Sequence, residues 1–427
     1  MNIVIIGAGF GGLEACKELS QNKNFEIYLV DKNNYHLFQP LLYQVASAAV
    51  SAADICSPVR SEFKKYKNVH FIFDQFESVL LEQQKVQLKN MQITYDVLIL
   101  ACGSKTTYYN HKEWSKYSFP LKTLKDARNI RNKVLLNLEI AKQCSINELN
   151  AYLTFIIVGG GPTGVEMAGS LCQLGLMNQP KTFHHRDKAN VVLLEKGNRL
   201  LPTFPHNLSE KAFRKLHDMG VDIYLNQEVS DINENGVKLM NGQFFESHCV
   251  VWATGVVPTT INWLLPFRKS PDGRIIVNDY LQVQGQENIY CIGDQAYCKD
   301  KNGNLLPGLA SVAKQQGKYL GKKLKGKAIG AFAYKNWGQM ATLGTNSAVV
   351  DFGSITFNGY FGWLVWSIIH IYYLVSFRNK LMVFVQWIWS YLTFSPGAQV
   401  IDEEIEPHLL YHKPKKKRTH GNFIRPH

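Results

Sequence analysis

The chain has 427 residues, which is enough for two domains and an appendage. Its formal net charge is +13, and the densest basic run lies at 413–418. No recognition motif for nucleic acid accompanies this charge, so nucleic-acid binding is not expected. Because a strand is predicted to begin at Asn2, we also expect no secretory signal peptide before the fold.

The first predicted unit is a strand, a glycine-rich turn and a helix. Apolar residues 3–6 are followed by Gly7, Gly9 and Gly12 in the pattern GxGxxG. Such a turn lets the backbone approach a pyrophosphate, and the N-terminus of the following helix offers free N–H groups and the positive end of its dipole. One motif of this kind is weak evidence for a dinucleotide site when it stands alone.

The second strand of this unit ends in a carboxylate. The strand predicted at 26–30 is followed by Asp31, 24 residues after Gly7, and then by Lys32. At this spacing the carboxylate is expected to bind the hydroxyls of an adenosine ribose, and Lys32 is a candidate beside it. The alternative is a buried strand that ends in a carboxylate and binds no ligand.

A second unit of the same kind begins 152 residues after the first. After an apolar strand it repeats the three turn glycines, Gly159, Gly161 and Gly164. The following strand ends in Glu195, 36 residues after the first of these glycines. A polar loop at 178–190 would account for the extra length.

Glu195 predicts a preference for NADH over NADPH. A carboxylate accepts hydrogen bonds from ribose hydroxyls and repels a 2′-phosphate. Lys196 and Arg199 are close enough in sequence to weaken this preference. The alternative, as for Asp31, is a strand that merely ends in a carboxylate.

Three further strands end in residues of the kind found beside dinucleotides. These ends are Ala101 with Gly103, Ala253 with Gly255, and Gly293 with Asp294. The last pair resembles the second flavin motif of flavoproteins with two dinucleotide domains, in which the aspartate binds the ribityl chain. The order of the motifs assigns FAD to the N-terminal turn and the nicotinamide nucleotide to the second turn.

Two dinucleotide turns in one chain indicate electron transfer between two bound nucleotides. We predict an α/β fold with two Rossmann-like domains and a C-terminal membrane-associated helical segment. A helix is expected at 126–142 and a strand-like stretch at 338–357. The predicted domains are an FAD-binding domain at 1–115 and 268–325, an NADH-binding domain at 116–267, and a membrane-anchoring domain with a basic tail at 326–427.

The eight cysteines are scattered, and none of them forms a CxxC motif. We therefore expect free thiols in a reducing compartment. Disulfide reductases of this fold pass electrons through a cysteine pair, so without such a pair the flavin must deliver its electrons elsewhere. No metal site is predicted.

The composition changes after about residue 355. Apolar runs at 359–377 and 381–394 contain 19 and 14 residues, so the first is at the edge of a membrane span and the second is too short. A buried core helix and a single span are alternatives, but a span would carry the basic tail away from the side that the positive-inside rule favours. Abundant Trp and Tyr, with Arg378 and Lys380 between the runs, favour interfacial helices that meet anionic lipid.

With these features, the chain resembles type II NADH dehydrogenases, the single-subunit NADH:quinone oxidoreductases that do not pump protons. The resemblance covers nearly the whole length. Three segments carry it: the Asn-Tyr-His run at 34–46, the glutamine-containing helix at 309–317 and the Gly-Trp to Phe-Arg-Asn pattern at 362–379. Two positions depart from the family, since some members carry Gln where Ser311 stands and Thr is common where Cys102 stands.

The resemblance implies a mechanism and a set of site residues. NADH would give hydride to N5 of FAD, and the reduced flavin would pass two electrons to a membrane quinone. Gln44 lies in the segment near the flavin, and Glu166 would hold the nicotinamide or carry protons. Gln315 and Gln316 would donate hydrogen bonds to a quinone carbonyl.

Each of these assignments has a structural alternative. Glu166 could be an acid that favours the helix dipole in the first turn. The glutamines could form a solvated helix face, and since they are adjacent, at most one is expected to point inward. His370 faces lipid or the quinone entrance, or is a packed side chain, which is the interpretation we favour.

The expected partners are a membrane lipid surface and a membrane quinone, and a homodimer is left open. The expected location is peripheral and monotopic, on the cytoplasmic face of the inner or cell membrane. Three rival functions remain. The first is a sulfide:quinone oxidoreductase, which needs reactive cysteines beside the flavin. The second is an NADH oxidase of the same fold, which the membrane tail disfavours. The third is a non-catalytic NAD(H)-responsive membrane protein, which would bind FAD without turnover.

Overall fold

The computed structural model describes residues 1–177, 189–259, 265–328, 330–393 and 398–401. The predicted loop at 178–190 lies almost entirely outside the described residues, and the basic run at 413–418 lies wholly outside them. The described residues form two parallel five-stranded sheets with helices, several small sheets, and two C-terminal helices. The prediction of an α/β fold with two Rossmann-like domains is confirmed.

The first sheet carries the N-terminal turn. Its strands, all parallel, lie in the order Ile289–Cys291, Val97–Leu100, Asn2–Ile6, Glu26–Asp31 and Val69–Phe73. The central strand is almost entirely apolar because both faces of a parallel sheet are covered. Helix Phe10–Leu19 packs against helix Ala310–Leu324, here called the glutamine helix, so closely that a Cβ on Gly317 would overlap the carbonyl oxygen of Gly11.

The second sheet carries the other glycine turn. Its five parallel strands lie in the order Phe119–Pro120, Cys249–Trp252, Thr154–Val158, Asn190–Leu194 and Val221–Tyr224. The helix predicted at 126–142 is present as Leu124–Ala141. It begins two residues earlier than predicted because Thr123 and Asp126 form a capping box at its N-terminus.

The remaining elements connect or flank the two sheets. The other helices are Leu42–Ala46, Val59–Phe63, Ile146–Leu153, Pro162–Met177 and His206–Asp218, and the 3-10 helices are Gln39–Leu41, Ala52–Ile55, Lys112–Lys116 and Gly293–Gln295. The other strands are Tyr35–Leu37, Cys56–Pro58, Phe76–Leu80, Lys85–Leu88, Gln92–Thr94, Ser104–Thr106, Val229–Asn233, Gly236–Leu239, Phe244–Glu246, Val256–Pro258, Ile275–Ile276 and Ala296–Tyr297.

The C-terminal part begins with an antiparallel sheet. Strands Gln339–Thr342, Ala348–Asp351 and Thr356–Asn358 form it, and they extend one residue beyond the stretch at 338–357 predicted to be strand-like. Two helices follow, Gly359–Tyr373 and Phe377–Thr393, which we call the helix pair. Among the helices of the described residues, none is both long enough and apolar enough to cross a membrane.

The helix pair has two different faces. One face, with Trp366, His370, Asn379 and Val383, is buried against the domains. The other face exposes large apolar side chains, including Tyr360, Phe361, Ile368, Tyr372, Phe377, Leu381, Phe384, Ile388 and Trp389. The buried-helix and interfacial-helix interpretations therefore each describe one side of the same pair.

The sheets also indicate where the domain boundaries lie. Strands of the first sheet come from 2–100 and 289–291, and strands of the second sheet come from 119–252. We keep the boundaries given in the sequence analysis as a proposal.

Candidate active site

The carboxyl ends of the first sheet open into a cleft of about 920 Å³. The strand order brings distant residues together there: Gly7, Gly9, Asp31, Lys32, Ala101, Gly103, Gly293 and Asp294 all line the cleft. Ligands of parallel sheets bind in this position, beyond the carboxyl ends of the strands. The volume lies within the range of cofactor pockets.

The turn geometry explains the three glycines of the first motif. Gly7 has a φ of +106°, and a Cβ there would overlap the carbonyl oxygen of Ala101. A Cβ on Gly12 would overlap the carbonyl oxygen of Gly7, so the helix can follow the turn only without a side chain at position 12. No atom lies within 4 Å of the Cβ position of Gly9, and this open space suits a pyrophosphate bound by the backbone.

Asp31 stands at the rim of this turn. Its carboxylate accepts hydrogen bonds from the backbone N–H groups of Ala8, at 2.7 Å, and Asn33, also at 2.7 Å. Burial raises the pKa of Asp31, and the two backbone hydrogen bonds oppose that rise. The carboxylate is therefore held in one orientation from which it can also accept ribose hydroxyls.

Asp294 lies across the cleft with partners that the sequence did not reveal. The Ser104 hydroxyl donates a hydrogen bond to Asp294, and the ammonium of Lys122 lies 3.7 Å from the Asp294 carboxylate. Gln295 is fully buried and accepts a hydrogen bond from the backbone N–H of Cys102 at 2.6 Å. Ser104, Lys122 and Gln295 come from separate segments of the chain, so only the folded structure shows that they orient this edge.

The second glycine turn repeats the first. Gly159 has a φ of +113°, and a Cβ on Gly164 would overlap the carbonyl oxygen of Gly159. Gly161 is as open as Gly9, with no atom within 4 Å of its Cβ position. The neighbouring strand, Cys249–Trp252, ends beside this turn. After it, the backbone N–H of Ala253 donates to the carbonyl oxygen of Val158 at 2.9 Å, and Gly255 has a φ of +73°.

Glu195 closes the second turn as Asp31 closes the first. Its carboxylate accepts hydrogen bonds from the N–H groups of Gly160, at 2.5 Å, and Gly197, at 2.6 Å. The two nearby cations are engaged elsewhere, since Lys196 pairs with Glu228 at 2.7 Å and Arg199 donates to the carbonyl of Pro202. Neither of these contacts involves Glu195.

Glu166 follows the second turn but reaches toward the C-terminal sheet. Its carboxylate accepts a hydrogen bond from the backbone N–H of Thr342 at 3.3 Å. The Thr342 hydroxyl in turn lies 2.7 Å from the hydroxyl of the buried Tyr43. Burial raises the pKa of Glu166 to about 8, so this carboxyl is mostly protonated at neutral pH. Tyr43 and Thr342 were not predicted as site residues.

Gln44 lies in a second, smaller cavity of about 100 Å³. Its amide donates to the Tyr43 hydroxyl at 3.1 Å, and its carbonyl oxygen accepts the indole N–H of Trp387 at 2.8 Å. Trp363 and Trp366 also line this cavity, which lies between the second domain and the helix pair. Gln44 thus lines this cavity, and its assignment to the flavin stays a prediction.

The two adjacent glutamines face different neighbours. Gln316 is buried and accepts the backbone N–H of Gly293 at 2.6 Å. Gln315 is partly exposed, and its amide makes two hydrogen bonds to the backbone of Lys335, at 2.8 and 3.0 Å. One glutamine therefore points inward, which agrees with the expectation that at most one of two adjacent helical residues does so. A role of either glutamine at a quinone stays a prediction.

Comparison with known proteins establishes the family. The family model described as pyridine nucleotide-disulphide oxidoreductase matches residues 1–317, and the NDH2 C-terminal domain model matches 337–394. The type II NADH:quinone oxidoreductase Ndh of Mycobacterium tuberculosis is 33% identical over 94% of this chain and 90% of that protein. The chain belongs to the type II NADH:quinone oxidoreductase family.

Other relatives agree with this membership. A type II NADH:quinone oxidoreductase of Haemophilus influenzae is 28% identical, covering 83% of this chain and 87% of that protein. The structure of NDH2 from Plasmodium falciparum in complex with NADH superimposes with a TM-score of 0.84 and covers 94% of this chain and 99% of that chain. Its sequence identity is 22%, so this likeness shows the fold alone.

The cysteines bear on the sulfide:quinone oxidoreductase alternative. All eight lie in the described residues, and all are free thiols. Among them Cys102 lines the cleft at the first sheet, and burial raises its pKa to about 12. A protonated thiol is a poor nucleophile, so the chemistry that the sulfide alternative requires has no support at this position.

His370 is packed, as the interpretation we favoured in the sequence analysis stated. Its ring stacks on Trp366 with centroids 4.0 Å apart, and its Nδ1 lies 2.8 Å from the Trp366 carbonyl oxygen. Burial lowers the pKa of His370 to about 4, so the ring is neutral at physiological pH.

Proposed function

We propose that this chain oxidises NADH and passes two electrons through FAD to a membrane quinone, without pumping protons. The observation that carries the proposal is the position of the glutamine helix. It lines the flavin cleft through Ala313, and its Lys314 lies 4.4 Å above the ring of Tyr373 in the helix pair. The same helix thus reaches both the flavin cleft and the helix pair.

The residues of the first cleft fit FAD. Gly7, Gly9 and Gly12 supply the open turn for its pyrophosphate, Asp31 would hold its adenosine ribose, and Asp294 its ribityl chain. When bound there, FAD supplies the hydride acceptor and the two-electron relay. The protein contributes orientation through the Ser104 and Lys122 contacts of Asp294.

The second turn would bind NADH. The N–H groups around Gly161 would meet its pyrophosphate, and Glu195 would accept its adenosine ribose hydroxyls. Because Lys196 and Arg199 are engaged elsewhere, we infer a preference for NADH over NADPH. Glu166, protonated at neutral pH and close to Tyr43 and Thr342, can hold or release a proton for quinone reduction.

The experiment that tests this function follows the flavin absorbance in each half-reaction. In Gln315→Leu and Gln316→Leu, we expect NADH to reduce the flavin at the parental rate and quinone to reoxidise it more slowly in at least one variant. Loss of a hydrogen bond to a carbonyl that gains negative charge costs about 1.5–3 kcal/mol, or roughly ten- to a hundredfold in rate. Gln92→Leu, on a distant hairpin, is the matched control.

Three outcomes would contradict the proposal. Parental reoxidation in both variants would remove the glutamine helix from the quinone site. Faster reoxidation by oxygen than by quinone in the parent protein would favour an NADH oxidase. Bound FAD without any turnover would favour a non-catalytic NAD(H)-responsive protein.

We also propose that the exposed face of the helix pair lies in the interface of one leaflet, at the cytoplasmic face of the inner or cell membrane. The face combines apolar side chains with Tyr and Trp, which suit the headgroup boundary. Phe361 and Ile368 are 72% and 67% exposed and lie two helical turns apart. Phe377, at 80% exposed, continues the face on the second helix.

Substitution of the exposed face tests this attachment better than truncation, because truncation would also remove the buried Trp366 and Val383. We expect Phe361→Gln, Ile368→Gln and Trp389→Gln together to lower binding to lipid vesicles by about a hundredfold, at about 1 kcal/mol for each side chain. The control replaces three exposed apolar residues elsewhere, Met91, Ile146 and Met240, with Gln.

Equal binding of both triple variants would refute the membrane face. A homodimer through the same face is the competing outcome. It would appear as a change from dimer to monomer in the first triple variant, measured by light scattering without lipid.

A further inference from the structure

A group of lysines lies where the Phe10–Leu19 helix, the glutamine helix and the turn of the helix pair meet. The ammonium of Lys314 lies 4.4 Å above the ring of Tyr373. Lys380 donates to the carbonyl oxygen of Tyr372 at 2.8 Å, and its ammonium lies 5.4 Å from the ring of the same tyrosine. Two cations are thus held against two neighbouring tyrosines.

This lysine cluster carries an excess of positive charge. Burial lowers the pKa of Lys314, and the charges of Lys17, Lys318 and Lys380 lower it further, while Glu14 opposes them. Glu62 is the other carboxylate at the cluster, 3.8 Å from the ammonium of Lys17. Lys314 therefore stands among three other lysines, and the two carboxylates offset only part of this positive charge.

The cluster borders the exposed apolar face of the helix pair. Tyr372, which contacts Lys380, is 70% exposed, and Phe377, the first residue of the second helix of the pair, is 80% exposed. Tyrosine and lysine are amphipathic side chains that place an apolar part in lipid and a polar end among the headgroups. An anion bound here would therefore have apolar surface next to it, which suits a molecule with a charged head and a hydrocarbon tail.

We propose that the lysine cluster binds the phosphate of an anionic phospholipid headgroup, with Lys314 and Lys380 as its main contacts. This site rests on the membrane attachment proposed above. It adds to that proposal the class of lipid that is bound and the residues that bind it. Since Lys314 belongs to the glutamine helix, the bound lipid would hold that helix at the membrane surface.

The test measures binding of full-length, FAD-loaded protein to vesicles of phosphatidylcholine alone and of phosphatidylcholine with added phosphatidylglycerol. In Lys314→Gln/Lys380→Gln we expect the ratio of anionic to neutral binding to fall by roughly thirtyfold, since each lysine near a charged surface contributes about 1 kcal/mol. Binding to neutral vesicles should stay at the parental level because the apolar face is intact. FAD content and thermal midpoint check that the variant is folded.

Lys211→Gln/Lys215→Gln is the matched control, because it removes the same charge from exposed positions on the His206–Asp218 helix. If the ratio of anionic to neutral binding fell equally in both double variants, net charge alone would explain the effect, and the proposed site would be wrong. A second contrary result is that the parent protein loses its preference for anionic vesicles in inorganic phosphate but keeps it in chloride at the same ionic strength. That result would show a site for free phosphate and would also overturn the lipid proposal. Failure of the parent to bind either vesicle would instead contradict the membrane attachment itself.

Discussion

Replacement of Gly164 by alanine is expected to weaken NADH binding by about ten- to a hundredfold while FAD stays bound. A Cβ at this position would overlap the carbonyl oxygen of Gly159, so the helix must move away from the turn. Overpacking of this kind costs about 1–3 kcal/mol, and the displaced N–H groups are those that would meet the pyrophosphate. Titration of flavin reduction against NADH concentration measures the effect.

The equivalent change in the first turn separates the two sites. Gly12→Ala creates the same overlap with Gly7 and should lower FAD content instead. Gly330→Ala is the control, because no atom lies within 4 Å of its Cβ position and its φ is ordinary. Loss of FAD in Gly164→Ala, or parental NADH affinity, would contradict the assignment of the two nucleotides to the two turns.

Replacement of Glu166 by glutamine is expected to remove a pH dependence of stability. Burial raises the pKa of Glu166 from 4.5 to about 8, so the folded protein holds a proton that the unfolded chain has lost. Between these two values the free energy of unfolding therefore falls as pH rises, by up to about 1.4 kcal/mol for each pH unit. Below about pH 4.5 the neutral carboxyl and the amide should be equivalent, and from there to about pH 8 Glu166→Gln should become increasingly the more stable of the two.

Denaturant unfolding of the FAD-loaded protein at several pH values measures this difference. Glu82→Gln, at an exposed position, should follow the parent at every pH. Quinone reduction supplies a second readout, since only the carboxyl can release a proton. Parallel stability profiles for Glu166→Gln and the parent would show that the carboxyl is ionised in the folded protein and would exclude it as a proton donor.

Local patterns were sufficient to predict much of this molecule. Each glycine turn and its strand-end carboxylate lie within a few dozen residues of each other in the sequence. The glycines are recognisable because the turn needs positions without a Cβ. The strands are recognisable because parallel strands are buried on both faces and are therefore apolar. The same reasoning predicted a helix at 126–142, close to the observed Leu124–Ala141, and also the C-terminal strands and the helix pair. The resemblance carried by the glutamine helix and the 362–379 pattern identified the family.

Contacts between distant segments decided the rest. Gln315 and Gln316 are adjacent in sequence, but their directions follow from Lys335 on one side and Gly293 on the other. Burial in the folded chain raises the pKa of Glu166, and the hydrogen bond from Thr342, 176 residues away, opposes that rise.

The amino-acid sequence by itself therefore determined the fold class, the two nucleotide turns and the family, because these depend on short-range geometry and on motif order. Only the tertiary structure decided which face of the helix pair is buried, where Gln44 lies and which residues orient Asp294. It also decided that Lys314 and Lys380 are held against tyrosines of the helix pair. Burial, desolvation and the grouping of charges arise only when separate segments pack together, so no local pattern in the chain contains them.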